Sequence, residues 1–290
     1  MVEVIGEHAD VLGECPLWDG RDNSLFWIDI EGWVVHRRSP AGDVESRRLG
    51  GRPGSIALTD DEDVLLAAVE HQLGWLDWGS GTFTPWVDVE EAGGPNRLND
   101  GRCDPAGAFW VGSMNTDEAS MTGTLHRLAP SGEHRTVQGG VGISNGLAFA
   151  PDGGVMYFAD TLRPVVWAYD YDPSSGERSR ERVFNDFSEL PGRPDGACVD
   201  EEGCYWTACV GGSAVARLTP SGAVDKIVEL PVHKPTMPAF GGPGLETMFV
   251  TSIGGGGSHR RPEPPGFNGR LLALDVGVGG VPEPRFGRTM

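Results

Sequence analysis

The chain lacks any run of about 18 apolar residues, so nothing in it reads as a membrane-spanning helix. Its first ten residues, MVEVIGEHAD, carry neither a basic segment nor an apolar one, which excludes a recognisable secretory leader and leads to the expectation of a cytoplasmic protein. Basic residues are scarce, 23 Lys and Arg against 42 Asp and Glu, for a formal net charge of −19. Nucleic acids and anionic membranes both need clustered Lys and Arg, so neither is expected as a partner. The charge reads as a device for solubility. The five cysteines, Cys15, Cys103, Cys198, Cys204 and Cys209, are odd in number and form no CxxC. Buried reduced thiols are the expectation, and a zinc–thiolate site is not. No G-x-S-x-G is present, and the seven histidines are scattered, so a Ser-His-Asp arrangement has no support. The glycine run at 254–258 lacks the Lys-Ser/Thr ending of a phosphate loop.

What is abundant is glycine, 44 of 290, and proline, 22 of 290, which imply many tight turns. Short apolar strands recur along the chain: 24–30, 63–69, 107–113, 154–160, 203–209 and 246–252. Aligning Trp27, Leu66, Trp110, Tyr157, Trp206 and Phe249 gives spacings of 39, 44, 47, 49 and 43 residues. Hairpins with PSG or GSG turns follow, as in 123–137 and 213–230. Units of this size, six in tandem, predict an all-β fold, a six-bladed β-propeller with four-stranded blades around a central channel. The whole of 1–290 is expected to form one domain, with the leading strand 1–7 supplying the outer strand of the last blade and closing the ring. The low-complexity stretch 254–266 reads as a long hairpin loop in that blade, and 254–268 as a candidate lid.

Ahead of each apolar strand lies a segment of a second set: GECPLWD, GSIALTD, LNDGRCD, SNGLAFA, PDGACVD and PTMPAFG. Their second residues are Glu14, Ser55, Asn99, Asn145, Asp195 and Thr236, each with a side-chain oxygen. In a propeller the first strand of each blade lines the channel, so this column predicts a ring of oxygens at one level. Glu14 and Asp195 supply two carboxylates, and Asn99 and Asn145 two amide oxygens. Such a set suits a hard divalent cation, because two carboxylates in a closed channel are costly without one. Ser55 and Thr236 read as structural hydroxyls.

The segments 13–18, 96–114, 144–153, 194–208 and 239–252 together resemble the SMP-30/gluconolactonase/regucalcin family, in order and over nearly the whole chain. The resemblance implies hydrolysis of a sugar lactone with one divalent cation, calcium first, with zinc, magnesium, manganese and ferrous iron as alternatives. By motif position it implies metal ligands at Glu14, Asn145 and Asp195, with Asp195 also the catalytic proton donor and acceptor. Substrate contacts are implied at Arg97 and Asn99. The family's acidic substrate contact falls after Met114, at Asp117 by count, with Glu118 as the alternative. One departure is Cys15, where the motif usually has Gly or Ser. A phosphotriesterase-like hydrolase and a non-enzymatic calcium-binding propeller are the competing readings. A closed ring needs no partner, so a monomer is the default.

Overall fold

The computed structural model describes residues 2–255 and 266–287. Within them lie 24 strands and one 3₁₀ turn, arranged as six antiparallel sheets of four strands. The molecule is a six-bladed β-propeller. Inner strands are Gly13–Asp19, Pro53–Leu58, Asn96–Cys103, Ser144–Phe149, Arg193–Val199 and Pro235–Gly241, and these define blades 1 to 6. Five blades run in chain order from inner to outer strand. In blade 6 the outer strand is Val2–Ile5, which pairs with Leu271–Asp275. All five cysteines are buried and free. Most of the 254–268 loop, residues 256–265, lies outside the described residues.

The blades are held together by apolar clusters that sit between neighbouring sheets. One joins blades 4 and 5 through Tyr157, Ala197 and Tyr205, and another joins blades 3 and 4 through Trp110, Leu147 and Phe158. A buried aspartate recurs at the turn after the inner strand. Asp104 Oδ1 accepts from the amides of Ala106 and Ala108, and Oδ2 from Trp110 Nε1. Asp200 does the same with Glu202, Cys204 and Trp206, and ion-pairs with Arg217. One carboxylate thus satisfies a tight turn and fixes the indole that fills the blade interface.

The end of the channel opposite the polar column is crossed by the C-terminal segment. Arg102, on the inner strand of blade 3, pairs with Glu283 and donates to Ala197 O of blade 5 at 2.8 Å. Phe286 is fully buried, its ring 5.8 Å from that of Trp75 and 6.0 Å from that of Trp86. Its amide donates to Leu58 O, and the amide of Gly287 donates to Gly107 O. This strap ties blades 2 and 3, and Gly280 bridges it to Asp200 at the end of blade 5's inner strand. Phe286→Ala is expected to lower the unfolding free energy by about 3–5 kcal/mol in urea denaturation, the usual cost of emptying a buried phenylalanine site. A loss under about 1 kcal/mol would show that the strap is an accessory.

Candidate metal and substrate site

The polar column is built on broken strands. Every inner strand loses register with its neighbour at the column: between Glu14 and Leu17, Pro53 and Ser55, Leu98 and Gly101, Asn145 and Ala148, Pro194 and Ala197, and Pro235 and Pro238. Bulges of this kind re-aim side chains and terminate pairing. The residue after Glu14, Cys15, has a left-handed backbone with φ 48°, and the residue after Asn145, Gly146, has φ 63°. A glycine, one of the two residues of the motif at the first of these positions, adopts that conformation freely. Cys15 bears its cost there and reaches Ile56 O of blade 2 at 3.6 Å.

What precedes each bulge is also fixed. Asp29 accepts from the amides of Val11 and Leu12, just ahead of Glu14. Asp160 accepts from the amides of Gly142 and Ile143, just ahead of Asn145. Glu70 accepts from the amide of Arg52, ahead of Ser55. Each of these acids stands fifteen positions after its column residue, a periodic signal in the sequence that reading the apolar strands alone passes over.

Five of the six column residues meet around a cavity of about 370 Å³. Glu14, Arg97, Asn99, Asn145, Asp195 and Thr236 line it, with Glu118. Ser55 does not: its hydroxyl donates to Asn99 O at 2.9 Å. Thr236 donates to Gly13 O, so both hydroxyls bind the backbone of an adjacent blade. Asn145 Nδ2 donates to Thr161 Oγ1 at 2.8 Å, and Thr161 donates to Pro194 O at 2.7 Å. That relay fixes which way the Asn145 amide faces. Asn145 Oδ1 accepts from Asn99 Nδ2 at 3.3 Å, and Asn99 Oδ1 accepts from Arg97 Nη1 at 2.7 Å. Neither Thr161 nor the relay is legible from a strand pattern.

A third acid stands close by. Asp100 is buried, with Oδ2 accepting from the amide of Leu147 and Oδ1 without a partner. Burial pushes the Glu14 carboxyl well above its ordinary range, and the charge of Asp100 adds to this. Burial raises Asp195 as well, reinforced by Glu14 and Asp100. Asp100 itself is pushed up to about 6 by burial. Among the described residues none of the three forms an ion pair. Arg97, also buried, is pulled down to about 10 and stays protonated at neutral pH. Three neighbouring acids without an ion-pair partner and an orphaned carboxylate oxygen fit a bound cation, and the all-oxygen donors fit a hard one.

Of the two acids after Met114, only Glu118 lines the cavity. Its backbone is left-handed, φ 55°, a conformation that costs a non-glycine residue and recurs at functional sites. Asp117 is turned to its own loop, where Oδ1 accepts from the amides of Ala119 and Ser120. Counting along the sequence favours Asp117; in the structure Asp117 caps the turn and Glu118 is the one that faces the cavity. Arg193 and Lys234 also line the cavity. Lysine occurs only twice in the chain.

A family model described as SMP-30/gluconolactonase/LRE-like region matches residues 12–254. The chain belongs to this family. A 6-deoxy-6-sulfogluconolactonase of Pseudomonas putida is 34% identical over 287 residues, covering 98% of each chain. An L-arabinolactonase of Azospirillum brasilense is 37% identical over 253 residues, covering 86% of this chain and 83% of its own. Among solved structures, a regucalcin from Agrobacterium tumefaciens, described as a calcium-binding protein, superposes with a TM-score of 0.90 at 28% identity, covering 98% of this chain and 96% of its own. No helix among the described residues is long and apolar enough to cross a membrane.

The bulge geometry makes Gly146 hard to replace. A Cβ on it would lie 2.5 Å from the Tyr205 hydroxyl and 2.7 Å from the Ala159 side chain, besides the positive φ. Gly146→Ala is expected to cost about 2–4 kcal/mol in denaturant unfolding, from left-handed strain and overpacking together. A neutral result would mean that the bulge next to Asn145 relaxes freely.

Proposed function

We propose that this protein hydrolyses the internal ester of a sugar lactone to the open-chain aldonic acid, using one divalent cation held by Glu14, Asn145 and Asp195. The observation that carries the reading is the group of buried, unpaired carboxylates at the base of an open cavity. Glu14 feels the charge of Arg97 and Asp100 that of Arg102, yet among the described residues none of the three acids forms an ion pair, an arrangement that favours an added cation. The named lactonases among the relatives support the reaction class, and the calcium-binding relative supports a hard ion.

When bound, the cation supplies Lewis acidity toward the lactone carbonyl and the attacking water. The protein's own groups do the rest. Asp195, whose proton affinity is raised by burial and by its acidic neighbours, takes the proton from water as it attacks the carbonyl carbon. The ring C–O bond then breaks, and the proton passes from Asp195 to the departing ring oxygen. Arg97, anchored on Leu98 O and Asn99 Oδ1, donates to substrate oxygens as negative charge develops. Asn99 orients the sugar beside the Asn145 ligand. Glu118 accepts from a sugar hydroxyl at the cavity mouth. With Arg193 and Lys234 opposite, the same mouth suits a lactone that carries an anionic group at its far end.

The test is a panel of pentono-, hexono- and sulfonated hexonolactones, and an organophosphate triester, each assayed with calcium, magnesium, manganese and zinc. Turnover of a lactone that chelation abolishes supports the proposal. Turnover of the triester alone makes the protein a phosphotriesterase, and binding of calcium without any turnover makes it a binding protein. Asp195→Asn is expected to lower kcat by about 10³-fold or more. Glu118→Gln should raise KM by about 5- to 20-fold with kcat nearly unchanged, as one lost charged hydrogen bond predicts. Asp117→Asn should stay within about 3-fold of the parent; equal effects of the two substitutions would assign the substrate contact to the loop as a whole.

A further inference from the structure

We propose a second metal site, outside the cavity, at the seam where the ring closes, taking zinc or a similar transition metal on His8 Nε2, Asp10 Oδ1 and His36 Nε2. His8 and Asp10 lie on the segment that leaves the closing strand Val2–Ile5 of blade 6 and enters the inner strand of blade 1. His36 lies on the third strand of blade 1, Val34–Arg38. Ligand atoms from the three residues lie within 4.8 Å of one another. His8 Nε2 is 2.8 Å from Asp10 Oδ1, and His36 Nε2 is 3.2 Å from the same oxygen. Tetrahedral zinc with bonds of about 2.0 Å places its ligand atoms about 3.3 Å apart, so a small spreading of these side chains admits the ion.

The second observation is His36 itself. The residue is 2% exposed, and its Nε2 faces Asp10 Oδ1 at 3.2 Å without the alignment of a good hydrogen bond. Its Nδ1 is held by Ser46 Oγ at 2.8 Å. If Nδ1 donates there, Nε2 presents a lone pair toward a carboxylate oxygen, an arrangement that a cation between them makes favourable. Supporting contacts of the kind that orient metal ligands are in place. Trp27 Nε1 donates to Asp10 Oδ2 at 3.0 Å, and the Trp27 ring stacks on His36 at 4.8 Å between centroids. The Asp10 backbone cannot drift: its amide donates to Gly269 O, and its carbonyl is wedged against Gly254 and Gly269, where a Cβ would come within 2.4 Å of it. The His8 side chain is 49% exposed, which leaves a route for the ion and a face for a water as fourth ligand.

The site has a use that its position explains. Of the six apolar clusters between blades, the one at this seam is the smallest, with five buried residues against nine to seventeen elsewhere among the described residues. An ion on His8, Asp10 and His36 ties the closing segment to blade 1 where apolar packing is thinnest. Two imidazoles and one carboxylate favour zinc, nickel or copper over calcium, so the seam and the all-oxygen channel select different ions.

The experiment takes the full chain, stripped of metal by chelation, and titrates zinc against a chromophoric chelator in parent and His8→Ala. His8 is half exposed, so its removal leaves the fold intact. The parent is expected to bind one more equivalent of zinc than His8→Ala, or to bind it about 100-fold more tightly, and to gain thermal stability with zinc that the variant does not gain. Calcium binding should be the same in both. Equal zinc stoichiometry and affinity in parent and variant would overturn the proposal. Cobalt supplies a check on the unmodified chain: intense visible d–d bands report four-coordinate nitrogen and oxygen ligation, and a spectrum with only the weak bands of octahedral oxygen coordination would also overturn it.

Discussion

Acidic groups crowded together at one end of a channel are the constraint on which this structure turns. Glu14, Asp100 and Asp195 repel one another, and burial raises the cost of charging any of them. Such a group survives only in a frame that cannot relax away from it. The ring provides that frame, because moving one inner strand outward disturbs two blade interfaces at once. The relay from Arg97 through Asn99, Asn145 and Thr161 to Pro194 O ties blades 3, 4 and 5 into one polar unit. The acids thus hold their positions through other blades' hydrogen bonds, and their unspent charge is available to a cation.

A sixfold ring has two equivalent-looking ends, and function needs one. The C-terminal strap removes the ambiguity. Glu283 against Arg102 closes the far end with an ion pair, and Phe286 pins the strap into the cleft beside Trp75 and Trp86. The column end stays open, with Arg97, Glu118, Arg193 and Lys234 on the walls. In a chain with a net charge of −19, three basic side chains beside Glu14, Glu118 and Asp195 bring this cavity near charge balance.

Much of this was legible in the sequence, for a physical reason. Blade interfaces demand large apolar residues at one strand position, and the channel tolerates polar ones only where they are satisfied. Both demands leave columns that survive without knowledge of pairing. Glu14, Asn99, Asn145 and Asp195 stand out in this way, and so does the closing strand, because it lacks a hairpin of its own. The bulges did not stand out, since an extra residue is defined only by what it faces. Asp100 hid beside Asn99 because alternation assigns it to the wrong face, and the register break at Leu98–Gly101 turns it inward. Counting could not show which of Asp117 and Glu118 faces the cavity, because that depends on the φ of Glu118 and on the cap supplied by Asp117.

The seam and the channel are coupled through very little chain. Asp10 and Glu14 are four residues apart, and between them Val11 and Leu12 hang from Asp29 while Gly13 O takes the Thr236 hydroxyl of blade 6. Gly13 has no room for a side chain, since a Cβ would meet Asp10 Oδ2 at 2.8 Å. Any loosening of the closing segment therefore reaches Glu14 directly, with no flexible link to absorb it. Ring closure and ligand geometry are one mechanical problem in this fold. A contact that tightens the seam fixes the position of a carboxylate in the channel, even though the two places differ in donor chemistry.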